Sequence, residues 1–166
     1  MNSSLKVELL APNQWQRLRE IRLKSLKDSP EAFGGNHETE SKMGQGEWEA
    51  KFTSLDFLIV SSDQSDIAIM SVEVLNGDHG ATCWIGGCWS DPRYRGRGAL
   101  RALFNFLDGH ADIKNWQRQG LGVWADNDDA IAAYKAIGFS EAGERQASQH
   151  QPGRFYIHMV RDSVVH

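Results

Sequence analysis

Apolar residues recur at two different spacings along this chain. A repeat of three and four residues is typical of amphipathic helices, and it predicts helices over residues 12–26, 48–55, 97–112 and 128–137. Short runs rich in β-branched and aromatic residues, bounded by Ser, Asp, Asn and Gly, predict strands joined by turns. These predicted strands cover residues 57–60, 67–75, 82–89, 121–125, 140–145 and 155–160.

The order of these elements is ααβββαβαββ, which predicts a mixed α/β (α+β) fold. The first three strands are separated only by short polar clusters, so we expect them to be antiparallel. The chain has 166 residues and shows no internal repeat or low-complexity linker. A length of this kind matches one compact domain, so we predict a single domain over residues 1–166.

The composition narrows the class of protein. Apolar residues make up 40% of the chain, and no run approaches the roughly 18 apolar residues of a membrane span. The first residues, MNSSLKVELL, lack the pattern of a secretory signal. Cys83 and Cys88 are too few for a disulfide framework and lack the spacing of zinc ligands. We therefore expect a cytoplasmic protein without a metal site or a membrane partner.

The charge balance is mildly acidic, with 18 Lys and Arg against 22 Asp and Glu. General nucleic-acid binders usually carry a basic excess, so the balance argues against a nucleic-acid partner. It fits a cationic small substrate slightly better than an anionic one.

The segment with the most chemical information joins the third predicted strand to the third predicted helix. It reads WSDPRYRGRGAL over residues 89–100. Gly96 and Gly98 can adopt backbone conformations that other residues avoid, so several N–H groups can point at one centre. The start of the following helix adds unpaired N–H groups and the positive end of a dipole, which suits a pyrophosphate. Four arginines add positive charge: Arg93, Arg95, Arg97 and Arg101.

Two ordinary explanations stay open for this segment. Glycines at a strand-to-helix turn often serve chain geometry alone, and a group of arginines is often a solvated surface. Other nucleotide motifs fit poorly, because a dinucleotide fingerprint needs a third glycine where Arg101 stands, and a Walker loop needs Gly-Lys-Ser/Thr.

The same segment resembles the acetyl-CoA loop of the GNAT family of N-acetyltransferases. The family pattern Arg/Gln-x-x-Gly-x-Gly/Ala is placed on six consecutive residues: Arg95, Gly96, Arg97, Gly98, Ala99 and Leu100. Leu100 departs from the pattern, since Gly or Ala is usual at the sixth position. The resemblance also implies that Trp89 and Ser90, at the end of the preceding strand, hold the pantetheine arm of acetyl-CoA.

A second motif strengthens the resemblance. Residues 121–139 are similar to the family's strand followed by Asn-x-x-Ala-x-x-x-Tyr-x-x-x-Gly-Phe, and every named position matches: Asn127, Ala130, Tyr134, Gly138 and Phe139. The resemblance implies a GNAT-type fold, with a central mixed and mostly antiparallel sheet flanked by helices. It also assigns Asn127 to acetyl-CoA binding. Ordinary alternatives are an N-cap for Asn127 and a core position for Tyr134.

The chemistry that the resemblance implies is direct transfer of an acetyl group from acetyl-CoA to a primary amine in a ternary complex. In that mechanism Tyr134 donates a proton to the leaving thiolate, and a backbone N–H near Ser90 polarises the thioester carbonyl. Residues 82–89 contain no carboxylate, so we take Glu73, on the neighbouring strand, as the hypothetical general base. The alternative for Glu73 is an exposed strand carboxylate.

The amine acceptor, a small molecule or a protein, is less defined. The resemblance places its site near the first helices, where Glu38 and Glu40 accompany Phe33 and Trp48. Carboxylates beside aromatic rings suit a cationic amine, although a solvated helix face with Trp48 in the core is an equal alternative. A homodimer is possible for this family. The alternative function is a catalytically weak acetyl-CoA sensor or partner module, and nucleic-acid binding through the arginines ranks third.

Overall fold

The structure is a computed structural model that describes residues 4–164. Five helices flank the strands: α1 Trp15–Asp28, α2 His37–Ser41, α3 Gln45–Ala50, α4 Ala99–Lys114 and α5 Asp128–Ile137. The strands are β1 Leu5–Leu9, β2 Asp56–Ser62, β3 Ser65–Val74, β4 Cys83–Ser90, β5 Arg118–Trp124, β6 Ser140–Ala147 and β7 Phe155–Asp162. Short 3₁₀ turns include Pro12–Gln14, Lys51–Thr53, Asp78–Gly80 and Pro92–Tyr94.

The strands form one seven-stranded sheet in the order β1-β2-β3-β4-β5-β7-β6. β1 with β2, β2 with β3, β5 with β7 and β6 with β7 are antiparallel. β4 and β5 are parallel, and their register runs from Cys83 opposite Gln119 to Ile85 opposite Leu121. The predicted α/β fold with a mixed, mostly antiparallel sheet is confirmed.

The helices and strands differ from the prediction mainly in the first third of the chain. β1 was not predicted, although its five residues LKVEL alternate apolar and polar side chains as a strand with one buried face does. It forms by pairing with β2 from Leu5 opposite Ser62 to Leu9 opposite Leu58. The short helix α2 is polar and starts at Asn36, whose side chain accepts a hydrogen bond from the Thr39 backbone.

The helix predicted over 48–55 also shifts. It begins three residues earlier, as α3, and gives way to a 3₁₀ turn at Lys51. The first helix begins after a 3₁₀ turn at Pro12, where proline needs no backbone N–H partner.

The chain divides into two compact units. The first contains the described residues up to Val72 together with Gly87–Leu103, and the second contains Glu73–Gly86 together with the described residues from Phe104 onward. The core of the first unit brings α1 and α3 together with β2 and β3, and its buried members include Leu18, Ile21, Trp48, Phe57, Ile59 and Ile69.

The core of the second unit is built on α4, β5 and β7. Its buried apolar residues include Phe104, Leu107, Trp116, Leu121, Ile157 and Met159. Phe104 packs edge-to-face with Phe139, at a ring-centroid distance of 5.3 Å. Across the described helices, none combines the length and the apolar character that crossing a bilayer requires.

Candidate functional site

The segment between β4 and α4 is anchored by a buried carboxylate. Asp91 directly follows β4, and only 2% of its surface is exposed. Its Oδ1 accepts a hydrogen bond from the Arg93 backbone at 3.0 Å, and its Oδ2 lies 2.7 Å from Lys24 Nζ on α1. The Arg93 guanidinium also donates to this carboxylate, and together with Lys24 it holds the pKa of Asp91 well below its usual range. Asp91 therefore stays charged at neutral pH and fixes where the strand turns.

A second anchor lies at the end of α1. The indole Nε1 of Trp89 donates to Asp28 Oδ2 at 2.9 Å, and this hydrogen bond is the main reason that the pKa of Asp28 is lowered. Arg95 donates from Nε to the Ser90 carbonyl at 3.1 Å, and its Nη2 lies 3.6 Å from Asp28. The predicted pantetheine-contacting residues Trp89 and Ser90 are thereby tied to α1 through one carboxylate.

The glycines that follow have an unusual backbone. Gly96 has φ +79° and Gly98 has φ +88°, in the left-handed region that other residues rarely adopt. A Cβ atom added at either position would meet no atom within 4 Å. The backbone torsion, not a lack of space, is therefore what calls for glycine here. Both residues are exposed, and α4 begins immediately afterwards at Ala99.

This arrangement fits a diphosphate group. The first backbone N–H groups of an α-helix have no partner within the helix, and they carry partial positive charge. The side chains of Arg93, Arg95, Arg97 and Arg101 lie on exposed residues of the same segment. Arg97 packs over the Tyr94 ring at 5.4 Å from the centroid. The loop is therefore open, cationic and rich in N–H donors, as a diphosphate requires.

The other predicted site residues belong to the second unit. Asn127 Oδ1 accepts a hydrogen bond from the Ala130 backbone at 3.2 Å, so Asn127 is the N-cap of α5. Tyr134 is half-buried on the same helix, and its ring lies edge-to-face with Phe139 at 5.6 Å. Glu73 is exposed near the end of β3. Trp89, Ser90 and residues 95–100, in contrast, form one continuous segment of the first unit.

The first unit also contains a cavity of about 140 Å³. Its apolar lining comes from α1, β2 and β3 and from the turn after α3: Leu18, Leu55, Phe57 and Ile69. Its polar lining consists of Arg22, Trp48, Lys51 and Ser71, and Gly87 of β4 completes the wall.

The carboxylates that the sequence favoured for a cationic acceptor have other partners. Glu40 is buried and accepts two hydrogen bonds from Arg22, from Nε at 3.0 Å and from Nη2 at 3.1 Å. Glu38 is exposed and lies 3.6 Å from Lys42. Neither carboxylate lines the cavity. Arg22 and Lys51 line it instead, and no sequence pattern marks them, because their meeting depends on how α1 packs against α3 and the turn that follows.

Comparison with known proteins identifies the family. The model of the acetyltransferase (GNAT) family matches residues 15–139, which is most of the chain. The chain belongs to the GNAT acetyltransferase family. The prediction of a member of this acetyl-CoA-dependent N-acetyltransferase family, made from two motifs, is confirmed. The GNAT match also includes α1 and the cavity-lining residues, which neither motif covers.

Individual relatives of this GNAT protein are distant. The N-alpha-acetyltransferase RimI of Mycobacterium tuberculosis is 36% identical over 76 residues, which cover 44% of this chain and 44% of RimI. A GNAT-family acetyltransferase from Streptococcus pneumoniae has a similar structure, with a TM-score of 0.76, 14% identity, and coverage of 97% of this chain and 100% of that one. Spermidine N-acetyltransferase from Vibrio cholerae, solved with CoA and spermine, gives a TM-score of 0.70 at 16% identity, covering 96% and 95%. At these identities the structural likeness shows the shared fold.

Proposed function

We propose that this GNAT protein is an N-acetyltransferase that moves the acetyl group of acetyl-CoA directly to a primary amine. One observation carries the proposal: an open loop with two glycines at positive φ leads directly into α4. That geometry exposes backbone N–H groups and surrounds them with arginines, which is what a pyrophosphate needs.

The donor-binding residues follow from this loop. We propose that residues 95–100 hold the pyrophosphate and that Trp89 and Ser90 flank the pantetheine arm, with Asn127 assisting. Moving the family pattern two residues earlier, onto 93–98, places its two glycine positions on Gly96 and Gly98. That register is favoured by their positive φ values, and it removes the departure at Leu100. Gly96 and Gly98 belong to the proposed pyrophosphate site in either register.

The catalytic proposal assigns two proton transfers. Acetyl-CoA supplies the acetyl group as a thioester: an N–C bond forms as the C–S bond breaks, and one proton leaves the amine while one reaches the sulfur. The Tyr134 hydroxyl donates the proton to sulfur. Glu73 accepts, directly or through water, the proton that an alkyl ammonium must lose before attack at pH 7. The proton that the neutral amine loses as the amide forms passes to solvent. The Ser90 backbone N–H polarises the carbonyl, and orientation of both substrates supplies much of the acceleration.

The acceptor amine is defined less narrowly than the acetyl donor. RimI is named as an N-alpha-acetyltransferase, and the Vibrio cholerae structure as a spermidine N-acetyltransferase. A protein or small-molecule amine therefore fits the proposed function. The single domain over residues 1–166, the cytoplasmic location and the homodimer stay predictions from the sequence.

The first experiment measures thermal unfolding with and without acetyl-CoA, with NAD and ATP as controls. A ligand at about 100 times its Kd adds roughly 2.7 kcal/mol to the free energy of unfolding, which raises Tm by several degrees. We expect a shift with acetyl-CoA alone. No shift at millimolar acetyl-CoA would overturn the proposal.

Replacing the proposed acid then separates an enzyme from a binding module. Tyr134→Phe is expected to lower kcat about a hundredfold while the acetyl-CoA shift in Tm is kept, because only the proton donor is removed. Tyr156→Phe is the matched control, since this half-buried tyrosine of the same unit donates to Gln146 at 2.8 Å and has no proposed catalytic role. An acetyl-CoA shift without thiol release from any amine would instead support the sensor alternative.

A further inference from the structure

Two cationic side chains that line the cavity of the first unit can still donate hydrogen bonds to a ligand. Arg22 uses Nε and Nη2 for Glu40, while Nη1 donates no hydrogen bond to any residue in the described part of the chain. Gly87 approaches this nitrogen closely: a Cβ atom built on it would lie 3.4 Å from Nη1. Lys51 lies over the Trp48 ring, with Nζ 5.5 Å from the centroid, and it forms no ion pair within residues 4–164. Both side chains line the cavity.

A third donor, close to the cavity, is enclosed by the protein and has no acceptor. Trp48 is completely buried, and its indole Nε1 has no hydrogen-bond partner among the described residues. Leaving a buried N–H unpaired costs about 1–3 kcal/mol, so such groups in native proteins usually meet a partner. An indole N–H only donates. The groups that can meet a ligand in the cavity are therefore Arg22 and Lys51, and both are donors that need an oxygen acceptor.

The positive charge of the cavity lining disfavours a cationic ligand. No carboxylate lines the cavity, and Glu40, which is nearby, already forms two hydrogen bonds with Arg22. A polyamine entering here would bring positive charge towards Lys51 with no acidic side chain in the wall to offset it. A carboxylate would gain charge-assisted hydrogen bonds from the same groups, which are stronger than neutral ones.

The volume of the cavity and its apolar lining indicate what the ligand contains besides its acidic group. A cavity of about 140 Å³ is close to the roughly 150 Å³ that accommodates one benzene molecule. Leu18, Leu55, Phe57 and Ile69 offer an apolar surface to a group of that size. The cavity thus has room for one small apolar side chain beside one acidic group.

We infer that the acetyl acceptor is a small amine that carries a carboxylate and an apolar side chain, of the kind found in apolar α-amino acids. Arg22 and Lys51 bind the carboxylate, and the aliphatic and aromatic wall binds the side chain. This inference rests on the proposed function, since it names the substrate class of the proposed enzyme. It also differs from the cationic substrate that the acidic charge balance favoured.

The test measures thiol release from acetyl-CoA by the full chain with matched amines. The panel contains leucine, methionine and phenylalanine, their carboxamides, spermidine, and a short peptide that begins with alanine. We expect kcat/KM for the amino acids to exceed that for the carboxamides and for spermidine by about tenfold or more, since one charge-assisted contact contributes about that factor. The carboxamide keeps the amine and the side chain, and it replaces the charged carboxylate with a neutral group in which an NH2 donor stands for one acceptor oxygen.

Substitutions of two lysines, one in the cavity lining and one outside it, provide the matched variants. Lys51→Met keeps an apolar stem but removes the charge, so it is expected to lower kcat/KM for leucine about tenfold and to reduce the difference between acid and amide. Lys27→Met removes an exposed lysine from the last turn of α1 and should change neither value. The acetyl-CoA shift in Tm is measured for both variants.

The outcomes separate the inference from the proposed function. A normal acetyl-CoA shift with equal or better turnover of the carboxamides, spermidine or the peptide would overturn the inference and leave the acetyltransferase proposal intact. A normal shift without turnover of any panel member would overturn the inference as well. Absence of both the shift and thiol release would overturn the proposed function itself.

Discussion

Two arginines in different parts of the molecule differ in how completely their hydrogen bonds are used. Arg161 of β7 has 5% of its side chain exposed and donates to both oxygens of Asp108 on α4, at 2.8 and 2.7 Å. It also donates to the Ile137 carbonyl at 3.0 Å and to Gln119 Oε1 at 2.9 Å. All three guanidinium nitrogens are engaged inside the protein.

Arg22 is held by one carboxylate and lies over the Phe33 ring, 5.3 Å from its centroid. Its two bonds to Glu40 fix the guanidinium, and the third nitrogen remains at the cavity. The comparison teaches how to separate structural charges from functional ones in a protein of this kind. We interpret a guanidinium whose donors are all used as structural, and one with a nitrogen left at a cavity as available to a ligand.

The largest expected effect is on Arg161. Arg161→Met leaves the Asp108 carboxylate, which is fully buried, without its main partner. Breaking a buried ion pair by removing one partner costs about 3–5 kcal/mol, which we expect as a loss in the free energy of unfolding by urea. Arg145→Met, at an exposed position of β6, is the control and should stay within about 0.5 kcal/mol of the parent. Equal stability of the two variants would contradict a structural role of Arg161.

Glu73 extends the comparison of structural and functional charges to an exposed carboxylate. If it acts as the general base, Glu73→Gln lowers kcat/KM by about a hundredfold and removes the acid limb of the pH–rate profile. The free energy of unfolding should change little, because the side chain is exposed. An unchanged kcat/KM and an unchanged acid limb would show that Glu73 is an ordinary surface carboxylate.

The Arg22–Glu40 pair allows stability and activity to be separated. Arg22→Met alone leaves Glu40 buried without its partner, so both stability and kcat/KM for leucine should fall. In the double variant Arg22→Met/Glu40→Leu the unmatched charge is gone, and most of the stability should return. We expect kcat/KM for leucine to remain about tenfold below the parent value in both variants. Recovery of activity together with stability would mean that Arg22 is structural, like Arg161.

The smallest expected effect concerns a buried histidine in the second unit. His158 lies 3.2 Å from His79 through ring nitrogens and 3.9 Å from Asp78, and the rings of Trp84 and Tyr156 pack against it. Burial, and then the neighbouring His79, lower the pKa of His158, while Asp78 opposes the shift.

The sign of the pH dependence follows from that direction. The folded protein favours the neutral imidazole, so its contribution to stability is complete above about pH 6.5, the usual pKa of histidine. It is lost as the pH falls below that value. Urea midpoints at pH 7.5 and 5.5 should therefore differ less in His158→Gln than in the parent, whereas His37→Gln, at an exposed position, should keep the parent difference. An unchanged difference in His158→Gln would contradict the assigned pKa direction.

The sequence predicted the glycine turn before α4 and the helix α5 well because both depend on local chemistry. Gly96 and Gly98 are required by their own backbone torsions, and Asn127 and Gly138 mark the two ends of one helix. Such residues can be recognised from their immediate neighbours in the chain. The periodicity of α4 extends over 16 residues and needs no knowledge of the partner it packs against.

The acceptor side was harder to predict because its residues interact across the fold. Arg22 and Glu40 are 18 positions apart, and nothing in the intervening sequence indicates that they form an ion pair. Glu40 therefore looked like a carboxylate available to a ligand. β1 is a different case, since the alternation of LKVEL is itself a strand signal, although a short one, and its pairing with β2 completes the strand.

The open space around Gly96 and Gly98 has a consequence for chirality. A Cβ atom at either position would meet nothing, so side-chain size is no obstacle; only the positive φ is. Positive φ is unfavourable for L-residues and favourable for their mirror images. Semisynthetic protein with D-alanine at position 98 should therefore keep the loop conformation, while L-alanine at the same position strains it. The conformation of the loop therefore depends on the chirality of the residues at these positions rather than on the size of their side chains.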